Sequence, residues 1–143
     1  MTPAELAGYI TMLERSVAAN PESADLRTCL GMAYAMNYEV YKSMDSLEAA
    51  VGLAPKHFFA QLKYAELFYR LRALEQAEEE ALKAVELSAN GWELNLSRRL
   101  LQEIRRLRRD GTQKPAWTKG LAWPAIALAG MFILLSAAFI LTR

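Results

Sequence analysis

The chain has 143 residues and a formal net charge of +1, a length that accommodates one domain and an appended segment but excludes two independent hydrophobic cores. One cysteine, Cys29, excludes an intramolecular disulfide, and the single histidine, His57, excludes a zinc site built from several His and Cys ligands. No glycine-rich phosphate loop is present either, so the sequence predicts a protein that is not an enzyme and binds no cofactor or metal.

The first predicted element is a helix over residues 3–19. Thr2 and Glu5 have the spacing of a capping box, and Pro3 occupies the first helical position. The N-terminus lacks the basic start and apolar run of a secretory signal, so we expect the soluble part to stay in the cytosol. Five more helices are predicted from turn residues and apolar spacing, at 23–37, 40–53, 57–71, 74–88 and 91–109.

A repeat of 34 residues runs through these helices. Leu13-Glu14, Val17 and Pro21 recur as Leu47-Glu48, Val51 and Pro55, and Leu30-Gly31 with Tyr34 recurs as Tyr64-Ala65 with Phe68. A period of 34 residues is typical of stacked helix–turn–helix units.

At these residues the sequence resembles the tetratricopeptide repeat (TPR) family. The small, aromatic and proline positions of that family are filled in the first full unit by Gly31, Tyr34, Ser43, Ala50 and Pro55. In the second they are Ala65, Phe68, Ala77, Ala84 and, departing from the pattern, Ala89. The resemblance implies an all-α solenoid of antiparallel hairpins over residues 3–104. The first helix would be half of an incomplete unit, and the last, beginning at Trp92, would carry Arg99 where a small residue is expected.

The resemblance also implies a concave groove that binds a protein or peptide. The groove positions map to Asp25, Thr28, Met32, Ala35, Met36, Phe59, Leu62, Lys63, Glu66, Tyr69 and Arg70. TPR proteins that hold chaperone C-termini use Lys and Asn where Thr28 and Met32 stand here, so the sequence favours an amphipathic helix or extended segment instead. The alternative is that Met32, Met36 and Phe59 belong partly to the core.

A basic neck follows the acidic helical region. Residues 1–97 contain eight basic and 14 acidic residues, whereas residues 98–119, the basic neck, contain eight basic and two acidic residues. Asp110-Gly111 and Pro115 predict that the last helix ends at residue 109, which gives a domain 1–109 and a linker 110–120. Because nucleic-acid binding would need interleaved aromatic residues, we expect contact with anionic lipid instead, through Arg105, Arg106, Arg108, Arg109, Lys114, Trp117, Lys119 and Trp123.

The last predicted element is a membrane-spanning helix over residues 121–142. Residues 120–142 carry no charge, and 21 helical residues cover about 31 Å, which matches a bilayer core of about 30 Å. The basic neck lies on one side and only Arg143 on the other, so the positive-inside rule predicts a single-pass tail anchor with the helical domain in the cytoplasm. Small residues at Ala125, Ala129 and Ser136 leave open a helix contact inside the membrane.

Two functions are compatible with this plan, which is also similar to that of mitochondrial fission adaptors without a match of residues. The first is a membrane-tethered adaptor or scaffold that recruits a cytosolic protein through the groove. The second is an accessory subunit or assembly factor whose membrane helix packs within a larger complex.

Overall fold

The computed structural model describes residues 2–112, which form six α-helices and no strands. Their bounds are α1 Pro3–Ala19, α2 Ala24–Met36, α3 Val40–Leu53, α4 Phe58–Arg70, α5 Leu74–Glu86 and α6 Gly91–Thr112. The predicted all-α class is therefore confirmed for these residues, and the bounds of α1 to α5 lie within two residues of the predicted ones. The most extensive packing joins α2 to α3 and α4 to α5, as expected for two hairpins.

Side chains cap four of the six helices, at Thr2, Ser23, His57 and Asn90. The Thr2 hydroxyl accepts from the Glu5 N–H at 3.3 Å, and the Thr2 N–H donates to the Glu5 carboxylate at 2.7 Å, so the predicted capping box is present. Ser23 accepts from the Leu26 N–H at the start of α2. These bonds satisfy N–H groups that the first turn of a helix cannot pair by itself.

The two hairpin turns have the same backbone geometry. Tyr38 follows α2, Arg72 follows α4, and each has a φ of 62° in the left-handed region. In each turn the next residue donates its N–H to a carbonyl five residues back, Glu39 to Tyr34 and Ala73 to Phe68. This is the Schellman arrangement that commonly ends helices. The 34-residue repeat is thus visible in the backbone conformation of the two turns as well as in the sequence.

Small residues lie where the paired helices cross. Ala50, Ala65, Ala77 and Ala84 are all 0% exposed, at positions where the repeat predicted small side chains. A Cβ on Gly31 would lie 2.6 Å from Cγ of the buried Leu47, so α2 and α3 approach more closely than alanine would allow. The prediction of close helix crossings at these positions is confirmed.

The sixth helix departs from the predicted pattern in two ways. Arg99, the position of a small residue in the 34-residue register, is exposed, and the residues buried instead are Ser97, Leu101 and Ile104. Leu101 and Ile104 pack with the alanines of α5. The helix also continues through Asp110 and Gly111 to Thr112, so the prediction that it ends at residue 109 is wrong.

Within residues 2–112, no helix combines the length and the apolar character needed to cross a bilayer. The predicted span at 121–142 and most of the predicted linker lie outside the described residues, as do Lys114, Trp117, Lys119 and Trp123.

Candidate functional site

Helices α2 and α4 present matching rows of side chains that together define the groove. Residues three or four apart lie on one face of a helix. On α2 the row contains only exposed residues, and on α4 the residues 34 positions later are exposed or half-buried. The eight residues of these two rows are Asp25, Cys29, Met32 and Met36 on α2, and Phe59, Lys63, Glu66 and Arg70 on α4.

The groove contains a pocket between the two helices. It has a volume of about 100 Å³, and Met32, Ala35 and Met36 line it together with Lys63, Glu66 and Arg70. Its other lining residues are Leu47 and Leu67, which are only 1% and 4% exposed. Met32 and Met36 remain 38% and 53% exposed, so they are available to a partner. The alternative that these two methionines belong to the core is therefore not favoured.

Some charges of the groove are compensated by an ion pair and one is not. Lys63 donates to the Glu66 carboxylate at 2.8 Å, so this pair is neutralised internally. Arg70, in the last turn of α4, forms no ion pair with any residue in the described range 2–112. The end of the groove at Met36 and Arg70 therefore offers one uncompensated positive charge.

At the opposite end, His57 ties α4 to α2. Its Nδ1 accepts from the Ala60 N–H at 3.0 Å, so the proton on Nε2 is the one directed at the Asp25 carboxylate, 2.7 Å away. His57 thus stands at a helix start, as predicted, and acts as its N-cap. The Phe59 ring next to it lies 5.9 Å from the ring of Trp92, which adds an exposed aromatic edge.

Three residues predicted for the groove lie elsewhere. Thr28 is 4% exposed and its hydroxyl donates to the Ala24 carbonyl, whereas Leu62 is 0% exposed and packs in the core. Tyr69 is half-buried against the cluster at the α4–α5–α6 contact. None of these side chains lines the pocket. Cys29, which the sequence analysis did not place in the groove, could have been found because it lies 34 residues before Lys63.

Part of the predicted membrane-facing set is engaged within the helical domain. Arg105 donates to Glu78 at 2.7 Å and Arg108 donates to the same carboxylate at 2.9 Å. These two hydrogen bonds, of which the one from Arg105 has the larger effect, hold the pKa of the Glu78 carboxyl below its usual range. Two of the arginines thus hold α6 on α5, and the side chains of all four, Arg105, Arg106, Arg108 and Arg109, are exposed.

No protein-family model matches the sequence, and no curated protein is significantly similar to it. Solved structures do match. The TPR domain of Sgt2 from Aspergillus fumigatus has a TM-score of 0.71 and 19% identity, over 79% of this chain and 76% of that one. The first TPR domain of Spaghetti (RPAP3), bound to the HSP90 peptide SRMEEVD, has a TM-score of 0.66 and 20% identity, over 74% and 82%. The second TPR domain of human RPAP3, in complex with the HSP70 peptide SGPTIEEVD, has a TM-score of 0.62 and 18% identity, over 71% and 82%. At these identities the likeness shows the fold alone, which is that of a TPR domain.

Proposed function

We propose that this protein is a membrane-tethered adaptor that holds a segment of another protein in the groove between α2 and α4. The observation that carries the proposal is the pocket at Met32 and Met36, which has an apolar floor and is open to solvent. Methionine side chains adapt their shape to a partner. Two of the fold neighbours carry bound peptides, which supports a groove that receives a peptide segment.

The tether is the second half of the proposal. It is supported by the uncharged run at residues 120–142 and by the basic residues that precede it. The helical domain would then face the cytoplasm, with the C-terminus on the far side of the membrane. Tethering raises the local concentration of the groove for a partner on the same membrane without any new contact.

A photo-crosslinking experiment tests the groove. A benzophenone amino acid replaces Met36, which is 53% exposed in the groove, or Met12, which is 51% exposed on α1. We expect a discrete protein adduct in intact membranes from position 36 and not from position 12. A second substitution, Ala35→Trp, fills the pocket and should abolish the adduct. Equal adducts from both positions, insensitive to Ala35→Trp, would contradict groove binding.

Alkaline carbonate extraction tests the tether. We expect the full chain to remain in the lipid pellet, whereas a fragment that ends at residue 112 should be released. Release of the full chain would refute the tether and leave the groove proposal to stand on the crosslinking result.

A further inference from the structure

The geometry points to the kind of segment that the groove selects: one with an aliphatic side chain and a neighbouring acidic side chain that pairs with Arg70. This inference rests on the proposed function, since it names the partner chemistry of the same groove. Three features of the described residues support it: the volume of the pocket, the ion pair that already neutralises Lys63, and the absence of an ion pair at Arg70 within residues 2–112.

The volume of the pocket determines which apolar side chain of the bound segment can enter it. A dry cavity of about 150 Å³ accommodates benzene, so a pocket of about 100 Å³ fits one aliphatic side chain of the size of Val, Leu, Ile or Met. An indole ring exceeds this volume, so part of it would stay outside the open pocket, because Leu47 and Leu67 are too deeply buried to move at little cost. The preferred anchor is therefore aliphatic.

The charges of the groove residues determine where an acidic side chain of the bound segment is favoured. Glu66 already neutralises Lys63, so a partner carboxylate would gain little from that lysine. Arg70 lines the same pocket and has no ion pair within residues 2–112, and the same holds for Arg72 in the following turn. At the other end of the groove, Asp25 presents an exposed carboxylate that lies 2.7 Å from Nε2 of His57. A bound segment is thus favoured when its acidic side chain lies at the Arg70 end, because complementary charges fix register and orientation.

A peptide selection tests this preference. A random 12-residue peptide library displayed on phage is selected against the full chain in nanodiscs of zwitterionic lipid, so that anionic lipid cannot compete. We expect enriched sequences to contain an aliphatic residue with Asp or Glu within one helical turn. Synthetic peptides from this set should bind Arg70→Glu about tenfold more weakly. The matched control is Arg15→Glu, a reversal at an exposed arginine on α1 that should leave binding unchanged.

A second selection, carried out against the Arg70→Glu variant, tests most directly whether Arg70 sets the charge preference. The enriched peptides should then carry Lys or Arg beside the aliphatic anchor. Peptides that lose binding with Ala35→Trp but show no change of charge preference with Arg70→Glu would overturn the inference and leave the groove function intact. Peptides that are insensitive to Ala35→Trp would overturn both. Circular dichroism of each variant shows that a loss of binding does not come from unfolding.

Discussion

Tyr38 and Arg72 hold a left-handed backbone conformation with large side chains and no compensating burial. Tyr38 is 89% exposed, and both residues have a φ of 62°. For a residue with a Cβ this conformation costs about 1–2 kcal/mol, a cost that glycine avoids at the expense of a more flexible unfolded chain. We expect Tyr38→Gly and Arg72→Gly each to raise the free energy of unfolding by about 0.5–1 kcal/mol, measured by urea denaturation of residues 1–112.

Tyr41 is the control for this prediction. It is 88% exposed but lies within α3, where glycine is unfavourable. Tyr41→Gly should lower the free energy of unfolding by up to about 1 kcal/mol. If Tyr38→Gly and Arg72→Gly lower the free energy of unfolding as Tyr41→Gly does, the turns carry no strain of this kind.

The Tyr34 side chain links α2 to α1 and responds to alkaline pH. Its hydroxyl donates to Glu14 at 2.6 Å, and burial, followed by this bond and the charge of Glu14, raises the pKa of Tyr34 to about 12. A pKa raised above the unfolded value near 10 stabilises the fold fully below pH 10, and this contribution is lost as the pH rises towards 12. At pH 7 we expect Tyr34→Phe to lower the free energy of unfolding by about 1–2 kcal/mol.

The difference between Tyr34→Phe and the unchanged protein should shrink from pH 10 upward and vanish near pH 12. Urea denaturation at a series of pH values measures it. A difference that stays constant from pH 8 to pH 12 would show that the hydroxyl contributes through packing and not through its bond to Glu14.

At the scale of the helices, the crossing of α2 and α3 depends on the absence of a side chain at Gly31. A Cβ there would lie 2.6 Å from Cγ of Leu47 and 3.3 Å from the Ser43 carbonyl oxygen. Leu47 is 1% exposed and cannot yield freely, so Gly31→Ala should cost about 1–3 kcal/mol of stability by overpacking. Gly8→Ala on α1, where nothing lies within 4 Å, should instead stabilise by up to about 1 kcal/mol through helix propensity. Thermal unfolding of the two variants compares them directly.

The same crossings explain what the sequence could predict about the elements. Small residues such as Gly31 and Ala65 must recur because helix approach requires them, and so the repeat located the hairpins and their ends. The rotation of each helix about its axis is set by packing and is harder to predict. One residue corresponds to about 100° of rotation, which is why Thr28 and Leu62, one position from Cys29 and Lys63, were assigned to the groove although they are buried.

The sixth helix shows the limit of a repeat-based prediction. No later helix among the described residues completes its hairpin, so the 34-residue register does not constrain how it rotates. Its apolar residues Leu101 and Ile104 decide the contact with α5, and Arg105 with Arg108 fixes it through Glu78. These ion pairs join residues that are far apart in the sequence. Counting charges along the sequence therefore predicts only a membrane-facing role for both arginines.

At the scale of the whole molecule, the adaptor and the accessory-subunit readings differ in what the apolar segment must do. An adaptor needs the segment at 121–142 only as an anchor, so its side chains are interchangeable as long as the segment stays apolar and long enough. An accessory subunit needs specific packing, for which the small residues Ala125, Ala129 and Ser136 are the candidates.

Exchanging residues 121–142 for an unrelated apolar helix of equal length therefore separates the two functions. We expect the exchanged protein to remain in the membrane pellet and to give the same Met36 photo-adduct in undiminished yield, because the groove supplies the contact and the anchor supplies only proximity. A double replacement of Ala125 and Ala129 by Leu in the original segment serves as the milder variant. If either protein stays membrane-bound but loses the adduct, the partner is held through the membrane helix, and the accessory-subunit function replaces the adaptor.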